Sequence, residues 1–416
     1  MDYIEIEGGV QLHGHVHVSG AKNAALPIMA SLLLTTGETC LRNVPRVRDV
    51  VTFGRVLQAL GAKIRADGPE LIVDTTSIER FEAPYDLVKT MRASFLALGP
   101  LLARYGQARV SLPGGCAIGA RPVNLHLKGL QALGARLELT QGYVHACADR
   151  LHGATIAFPT PTVTGTEHIM MAAVLAKGTT IIENAACEPE VVNLAEALTR
   201  MGAHVAGAGS SRMVIEGVPR LEPAVHDIIP DRVEGGTFLV AGAMTGGDVT
   251  IDHCRPAHLS ALLDHLRATG AAVEVGDDWV RVIGIERAYP SDLVTAPYPG
   301  FPTDMQAQMM ALLTRANGRS VISETVFENR YMHAAELGRM GAEIHLDGSE
   351  AIVIGVPQLH GAPVMATDLR ASASLILAGL AAKGITTVSR VYHLDRGYEQ
   401  IEVKLAALGA KIRRLP

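Results

Sequence analysis

Residues able to do chemistry fall at a few definite places in this chain. Leu112-Pro-Gly-Gly-Cys116-Ala-Ile-Gly-Ala-Arg121-Pro122 is a glycine-rich segment holding one thiol close to one guanidinium. Glycines let a backbone approach a ligand, and a nearby positive charge favours the nucleophilic thiolate. A lone cysteine is more often a small buried hydrophobe, but this setting is a poor one for core packing. Asp304, in Phe301-Pro-Thr-Asp304-Met-Gln, stands at a helix start, where a carboxylate is either a cap or, in a cleft, a general base. Asp368 and Arg370 occur together in Thr367-Asp368-Leu-Arg370-Ala-Ser, and Arg92 in the related Lys89-Thr-Met-Arg92-Ala-Ser. Arginine at a helix start opposes the helix dipole unless an anion is near, which makes Arg92 and Arg370 candidates for anion binding rather than solvated charges. Ser19-Gly20-Ala-Lys22-Asn23 also suits a phosphate, although it is not GxxxxGK[ST], and no GxGxxG occurs. Glu324-Thr-Val326-Phe-Glu-Asn-Arg330 and Asp395-Arg396-Gly add further polar clusters. His13, His15 and His17 alternate along one strand face, but with no fourth ligand nearby they read as a solvated face rather than a metal site.

Repeated elements must position these groups. A hydrophobic stretch ending in Gly-Ala recurs with its glycine at 61, 134, 202, 270, 341 and 409. Each copy reads as an amphipathic helix, a glycine where the helix closes in a left-handed turn, and a short strand such as Lys63-Ile64-Arg65. Upstream of each lies a more apolar helix: Lys22 to Leu34, Met91 to Arg104, Thr166 to Lys177, Glu234 to Thr245, Asp304 to Arg315 and Leu369 to Lys383. Their Ala, Met and Leu content predicts burial on most sides. The unit is helix, strand, loop, helix, strand. The fold class is therefore α/β, built from α+β repeats. Three units fit in residues 22–229 and three in 230–416, with residues 1–21 supplying strands to the second group. The charged and glycine-rich loops should emerge on one side of each domain, and two such domains facing one another would enclose a cleft.

Composition narrows the classes of function. The 416 residues carry a formal net charge of -5, which argues against nucleic acid as main partner but leaves small anions open. The acidic start, Met1 to Gly8, lacks the apolar core of a secretory leader. The apolar run Ala24 to Leu34 is short for a bilayer and contains Pro27, so no membrane association is expected. Five cysteines at 40, 116, 147, 187 and 254, with no CxxC pair, fit a reduced, cytoplasmic protein rather than a disulfide framework or zinc site.

Taken together, SGAKNAALP (19–27), APYDLVKTMRAS (83–94), SLPGGCAIGARPVNLH (111–126), FPTDMQAQ (301–308), ETVFENRYMH (324–333), MATDLRASASL (365–375) and HLDRGYE (393–399) closely resemble the UDP-N-acetylglucosamine enolpyruvyl transferase family of bacterial peptidoglycan synthesis. The resemblance runs end to end, and the cysteine loop separates it from the related 3-phosphoshikimate 1-carboxyvinyltransferases. It implies two inside-out α/β barrels that close on phosphoenolpyruvate and UDP-N-acetylglucosamine, with the cysteine loop as a lid. It places Lys22, Arg121 and Arg396 at the phosphate of phosphoenolpyruvate, Asn23 at the reacting centre, and Arg330 and Arg370 with Arg396 at the carboxylate. Arg92, Arg121, Pro122, Val123, Asn124, Leu125, Thr162, Val163, Thr164, Gly165 and Val326 would line the nucleotide-sugar site. Asp304, also at that site, would take the proton of the sugar 3-hydroxyl. Cys116 would protonate the methylene carbon or attach covalently to phosphoenolpyruvate, where fosfomycin would alkylate it, and Asp368 would assist proton movement. The reaction implied is addition followed by elimination. It requires no redox cofactor, and no metal site is evident; Lys22 and the arginines supply the charge stabilisation.

The sequence departs from the common family pattern at four places: Asn124 where Asp is usual, Cys187 for Arg, Arg46 and Arg48 for lysines, and Thr164-Gly165 for Gly-Ala. These bear on nucleotide contacts and control by products, not on the proposed catalytic groups. Two competing readings are an enolpyruvyl transferase for another alcohol, such as shikimate 3-phosphate, and a non-catalytic nucleotide-sugar-binding paralogue. Cys116 and RPVNLH argue against the first, and retention of Cys116, Asp304 and the arginines against the second. Protein partners and oligomeric state are left open.

Overall fold

A computed structural model describes residues 2–67, 70–89, 91–113 and 123–416. The glycines that close the repeats behave as their spacing predicts. Gly61, Gly134, Gly202, Gly270, Gly341 and Gly409 all have positive φ, between 91° and 114°, and each follows an amphipathic helix. At Gly61 the requirement is also steric, since a Cβ would lie 2.3 Å from the Ser77 carbonyl oxygen.

The described strands form six four-stranded sheets with one shared plan. A short outer strand runs parallel to a central strand, and two further strands follow antiparallel. Thus His226–Asp227 pairs parallel with Glu38–Arg42, which pairs antiparallel with Glu70–Asp74, and that with Lys63–Asp67. The N-terminal segment enters this plan twice. Tyr3–Glu7 pairs antiparallel with both Ile385–Ser389 and Lys411–Leu415, and His13–His17 runs parallel to Asp248–Asp252.

Two compact units result. One comprises residues 20–113 and 123–229 of those described; the other comprises 2–19 and 230–416. Each has three sheets and its own hydrophobic core. In the second unit the helices Arg232–Thr245, Gln306–Leu313 and Leu369–Ala381 pack on one another. All eight residues of Gln306–Leu313 are buried, as is every residue of Leu369–Ala381 after the first. Each large apolar side chain so buried contributes roughly 1.5–3 kcal/mol, which explains how helices with weak amphipathicity are held.

Three helices differ from the sequence expectation, two of them through a side-chain cap at the start. The helix expected from Thr166 begins at Val163, where the Thr162 hydroxyl accepts from the Gly165 N–H at 3.3 Å, and it ends at Ala173. Thr162–Gly165 is therefore the cap and first turn of a helix. The helix expected from Glu234 begins at Arg232, capped by Asp231, whose carboxylate accepts from the Val233 and Glu234 N–H groups. Met91 to Arg104 is not one helix but a 3-10 segment, Arg92–Ala97, leading into an α-helix, Leu98–Tyr105.

Candidate functional site

Asp304 is the centre of a charged cluster in the unit 2–19 plus 230–416. It lies in the 3-10 turn Thr303–Met305, ahead of the helix Gln306–Leu313. Its Oδ1 accepts from Arg330 Nη2 at 2.8 Å, and its Oδ2 accepts from Arg370 Nε at 3.1 Å and Nη2 at 2.8 Å. Both arginine side chains are 4% exposed, against 27% for Asp304. Burial opposes the charge on Arg370, but the Asp304 carboxylate, with Tyr398 and Asp231 nearby, more than offsets it and holds the guanidinium charged. The anion sought near Arg370 is thus a carboxylate of the chain itself. One nitrogen of each guanidinium, Nη1, is buried without a hydrogen-bond partner. The cluster holds one carboxylate and keeps unused donors, which is a suitable chemistry for a second small anion.

Neighbouring groups set this cluster in place. The buried Glu324 accepts from the Thr303 hydroxyl at 2.8 Å, the Thr295 hydroxyl at 2.9 Å and the Val326 and Phe327 N–H groups at 2.9 and 3.2 Å. It therefore ties the Asp304 turn to the segment leading to Arg330. Tyr398 is buried, bonds Thr237 and Gln308, and sets its ring 5.6 Å from the Arg370 guanidinium carbon. Asp368 caps the helix Leu369–Ala381, accepting from the Arg370 N–H at 2.8 Å and the Ala371 N–H at 3.0 Å. The cap reading weighed for Asp304 thus describes Asp368. His333 is fully buried; burial first, and then Arg330 against the opposing pull of Asp368, hold its pKa near 4. Arg396 ends the 3-10 helix Val391–Arg396 and is half-buried, while Val326 is exposed.

In the other unit, Lys22 opens the helix Lys22–Ser31, with Asn23 beside it. The Lys22 ammonium is 12% exposed and 3.8 Å from the buried carboxylate of Asp49. Arg92 opens its 3-10 segment and is half-buried. Val123 is the cap residue of the helix Asn124–Ala132, and Asn124 and Leu125 form its first turn. Thr164 lies on the first turn of its helix, 3.3 Å from the buried His126. Cys187, at one of the four departures, is half-buried, and burial followed by Glu188 pushes its thiol pKa up. Cys116, Arg121 and Pro122 lie outside the described residues.

Sequence reasoning named Glu324 in a polar cluster without a role for it, and gave no role to Asp49, Tyr398, His126 or His168. Of these four, Asp49 carried a signal, a carboxylate on a first helical turn. His13 and His15 are exposed; His17 pairs with Asp252 at 2.7 Å and stacks on His253. Among the described residues no group of three or more His, Cys, Asp or Glu could hold a metal ion, and no helix is long and apolar enough to cross a membrane.

A family model described as EPSP synthase (3-phosphoshikimate 1-carboxyvinyltransferase) matches residues 6–405. The chain is 60% identical to the UDP-N-acetylglucosamine 1-carboxyvinyltransferase of Anaeromyxobacter sp. (strain Fw109-5), covering 100% of this chain and 99% of the relative. It is 59% identical to the protein of the same name from Geobacter metallireducens, covering all of both. Among solved structures, the enolpyruvyl transferase NikO from Streptomyces tendae matches with a TM-score of 0.90 at 30% identity, over 100% of this chain and 99% of that one. EPSP synthase from Acinetobacter baumannii shares the fold, with a TM-score of 0.77 at 17% identity over 100% of both chains.

Proposed function

We propose, since the chain belongs to the UDP-N-acetylglucosamine 1-carboxyvinyltransferase family within the EPSP synthase-like enolpyruvyl transferases, that it transfers the enolpyruvyl group of phosphoenolpyruvate to the 3-hydroxyl of UDP-N-acetylglucosamine and releases phosphate. This is a step of peptidoglycan synthesis. The frame of the reading is two inside-out barrel domains of three repeats, 22–229 and 1–21 plus 230–416.

The observation that carries the chemistry is the grip of Arg330 and Arg370 on the Asp304 carboxylate. Phosphoenolpyruvate brings its own carboxylate, and the two guanidiniums are its natural partners, with Arg396. While they hold Asp304, both of its carboxylate oxygens accept from guanidinium donors. A substrate carboxylate that takes over the arginines frees those oxygens to meet the sugar hydroxyl. Asp304 then accepts the proton of the 3-hydroxyl as that oxygen bonds to C2 of phosphoenolpyruvate. A proton from Cys116 reaches C3, giving a tetrahedral intermediate. Loss of a C3 proton re-forms the double bond as the C2–O bond to phosphate breaks. Lys22, Asn23 and Arg121 serve the phosphate and the reacting centre, and Asp368 the proton movement. Arg92, Arg121, Pro122, Val123, Asn124, Leu125, Thr162–Gly165 and Val326 hold the nucleotide sugar.

The test is phosphate release from phosphoenolpyruvate with UDP-N-acetylglucosamine and, in parallel, with shikimate 3-phosphate. Release with the nucleotide sugar alone is expected. Release only with shikimate 3-phosphate would move the chain to the other branch of the fold, and release with neither would favour a non-catalytic nucleotide-sugar binder.

A further inference from the structure

Two buried histidines in the unit 20–229 form a hydrogen-bonded chain whose direction follows from its first link. His168 is wholly buried and His126 is 3% exposed; their rings lie 5.1 Å apart, and both meet Phe95 edge-on at 5.7 Å. The Gly99 N–H is 2.7 Å from His168 Nε2. A backbone N–H can only donate, so Nε2 accepts and the neutral ring carries its hydrogen on Nδ1. That Nδ1 is 3.0 Å from His126 Nδ1, which must therefore accept, leaving the His126 hydrogen on Nε2. His126 Nε2 is 3.3 Å from Thr164 Oγ1, which accepts in turn. The Thr164 hydroxyl hydrogen is then left to be donated, and no other partner of Thr164 Oγ1 is present among the described residues.

Both rings are built to stay neutral. Burial lowers His168 to about 3, and burial, then His168 and Arg92, holds His126 well below its ordinary value. Gly99 is required at the first link, because a Cβ there would lie 2.6 Å from His168 Cδ2 and 2.9 Å from Nε2.

We propose that the Gly99–His168–His126 chain sets the Thr164 hydroxyl as a one-way donor to an acceptor oxygen of the nucleotide sugar, making Thr164 a specificity-determining contact and the two histidines positioning residues. The proposal rests on the placing of Thr162–Gly165 at the nucleotide-sugar site. It gives a purpose to the Thr164 departure from the common family pattern.

The test combines titration calorimetry of UDP-N-acetylglucosamine with nitrogen-15 NMR of the imidazoles in the full-length enzyme. Thr164→Val should weaken binding about tenfold, the scale of one lost hydrogen bond, and Thr164→Ser should restore it. The spectra should show His168 protonated on Nδ1 and His126 on Nε2. Unchanged affinity in Thr164→Val, or a His126 proton on Nδ1, would overturn the proposal. Failure of the unaltered enzyme to bind UDP-N-acetylglucosamine would instead overturn the functional reading and with it the ligand half of this one, while the tautomers are read independently.

Discussion

The segments ATDLRASASL (366–375) and VKTMRASFLAL (88–98) share Arg-Ala-Ser at equivalent places in two repeats, yet their helices start differently. In the first, the Asp368 carboxylate takes two N–H groups and a regular α-helix runs from Leu369. In the second, the Met91 cap position has no side-chain cap bond, and Arg92–Ala97 tightens into a 3-10 segment. The Leu98 N–H then bonds the Phe95 carbonyl, the acceptor that a continuous α-helix would have offered to Gly99. The orphaned Gly99 N–H is taken by His168. The consequences extend to the arginines: Arg370 goes fully inside against Asp304, while Arg92 stays half-buried. One repeat thus supports two kinds of polar interior, one of paired charges and one of neutral hydrogen bonds.

The charged interior should show the largest effect. Asp304→Ala should lower turnover by roughly 10²- to 10⁴-fold, the range of a lost general base, while UDP-N-acetylglucosamine affinity changes little. Steady-state kinetics with calorimetry would check this, and a loss confined to affinity would remove Asp304 as the base. The neutral interior should announce itself through pH. A buried imidazole held neutral lets the unfolded chain take up the proton first. The stabilisation from His168, His126 and His333 is therefore full above about pH 6.5 and lost as pH falls toward their depressed values, near 3 for His168 and 4 for His333. Each contributes a slope of up to about 1.4 kcal/mol per pH unit. Glu167, raised by burial and then by Glu190 and Glu188, acts in the opposite sense above its ordinary 4.5, as does the buried Glu234. With His265 and His393 also lowered by burial, five histidines against two glutamates predict a net loss of stability between pH 6.5 and 4.5. Urea midpoints that are flat or that rise on acidification would contradict it.

Smaller effects separate the two helix starts. Gly99→Ala should cost about 1–3 kcal/mol by forcing the new methyl into His168, and a urea midpoint unchanged from the unaltered protein would contradict that contact. Asp368→Ala should cost about 1 kcal/mol in the same measurement, the usual value of a cap; no change would show that the cap bonds contribute little.

Much of this was legible in the sequence, for identifiable reasons. The repeat was readable because a left-handed helix end selects glycine, and it does so at all six positions from Gly61 to Gly409. Asp304, Arg330 and Arg370 could be named as candidates, but not their mutual pairing, since the arginines lie 26 and 66 residues from Asp304 in the chain. Thr162–Gly165 entered only through the family resemblance; that these residues open a helix depends on the Thr162 hydroxyl, which the sequence pattern did not announce. His126 and His168 gave no signal at all. Each sits on an ordinary helix, and their meaning arises only where the two helices bring their rings within hydrogen-bonding distance.

The central claim is that a carboxyvinyl group moves onto a nucleotide sugar. It is tested most directly by incubating the enzyme with carbon-13-labelled phosphoenolpyruvate, UDP-N-acetylglucosamine and shikimate 3-phosphate together, and analysing the products by mass spectrometry. The account predicts that the label appears as an enolpyruvyl ether of UDP-N-acetylglucosamine alone. Label on shikimate 3-phosphate, or a nucleotide sugar recovered unchanged, would contradict it.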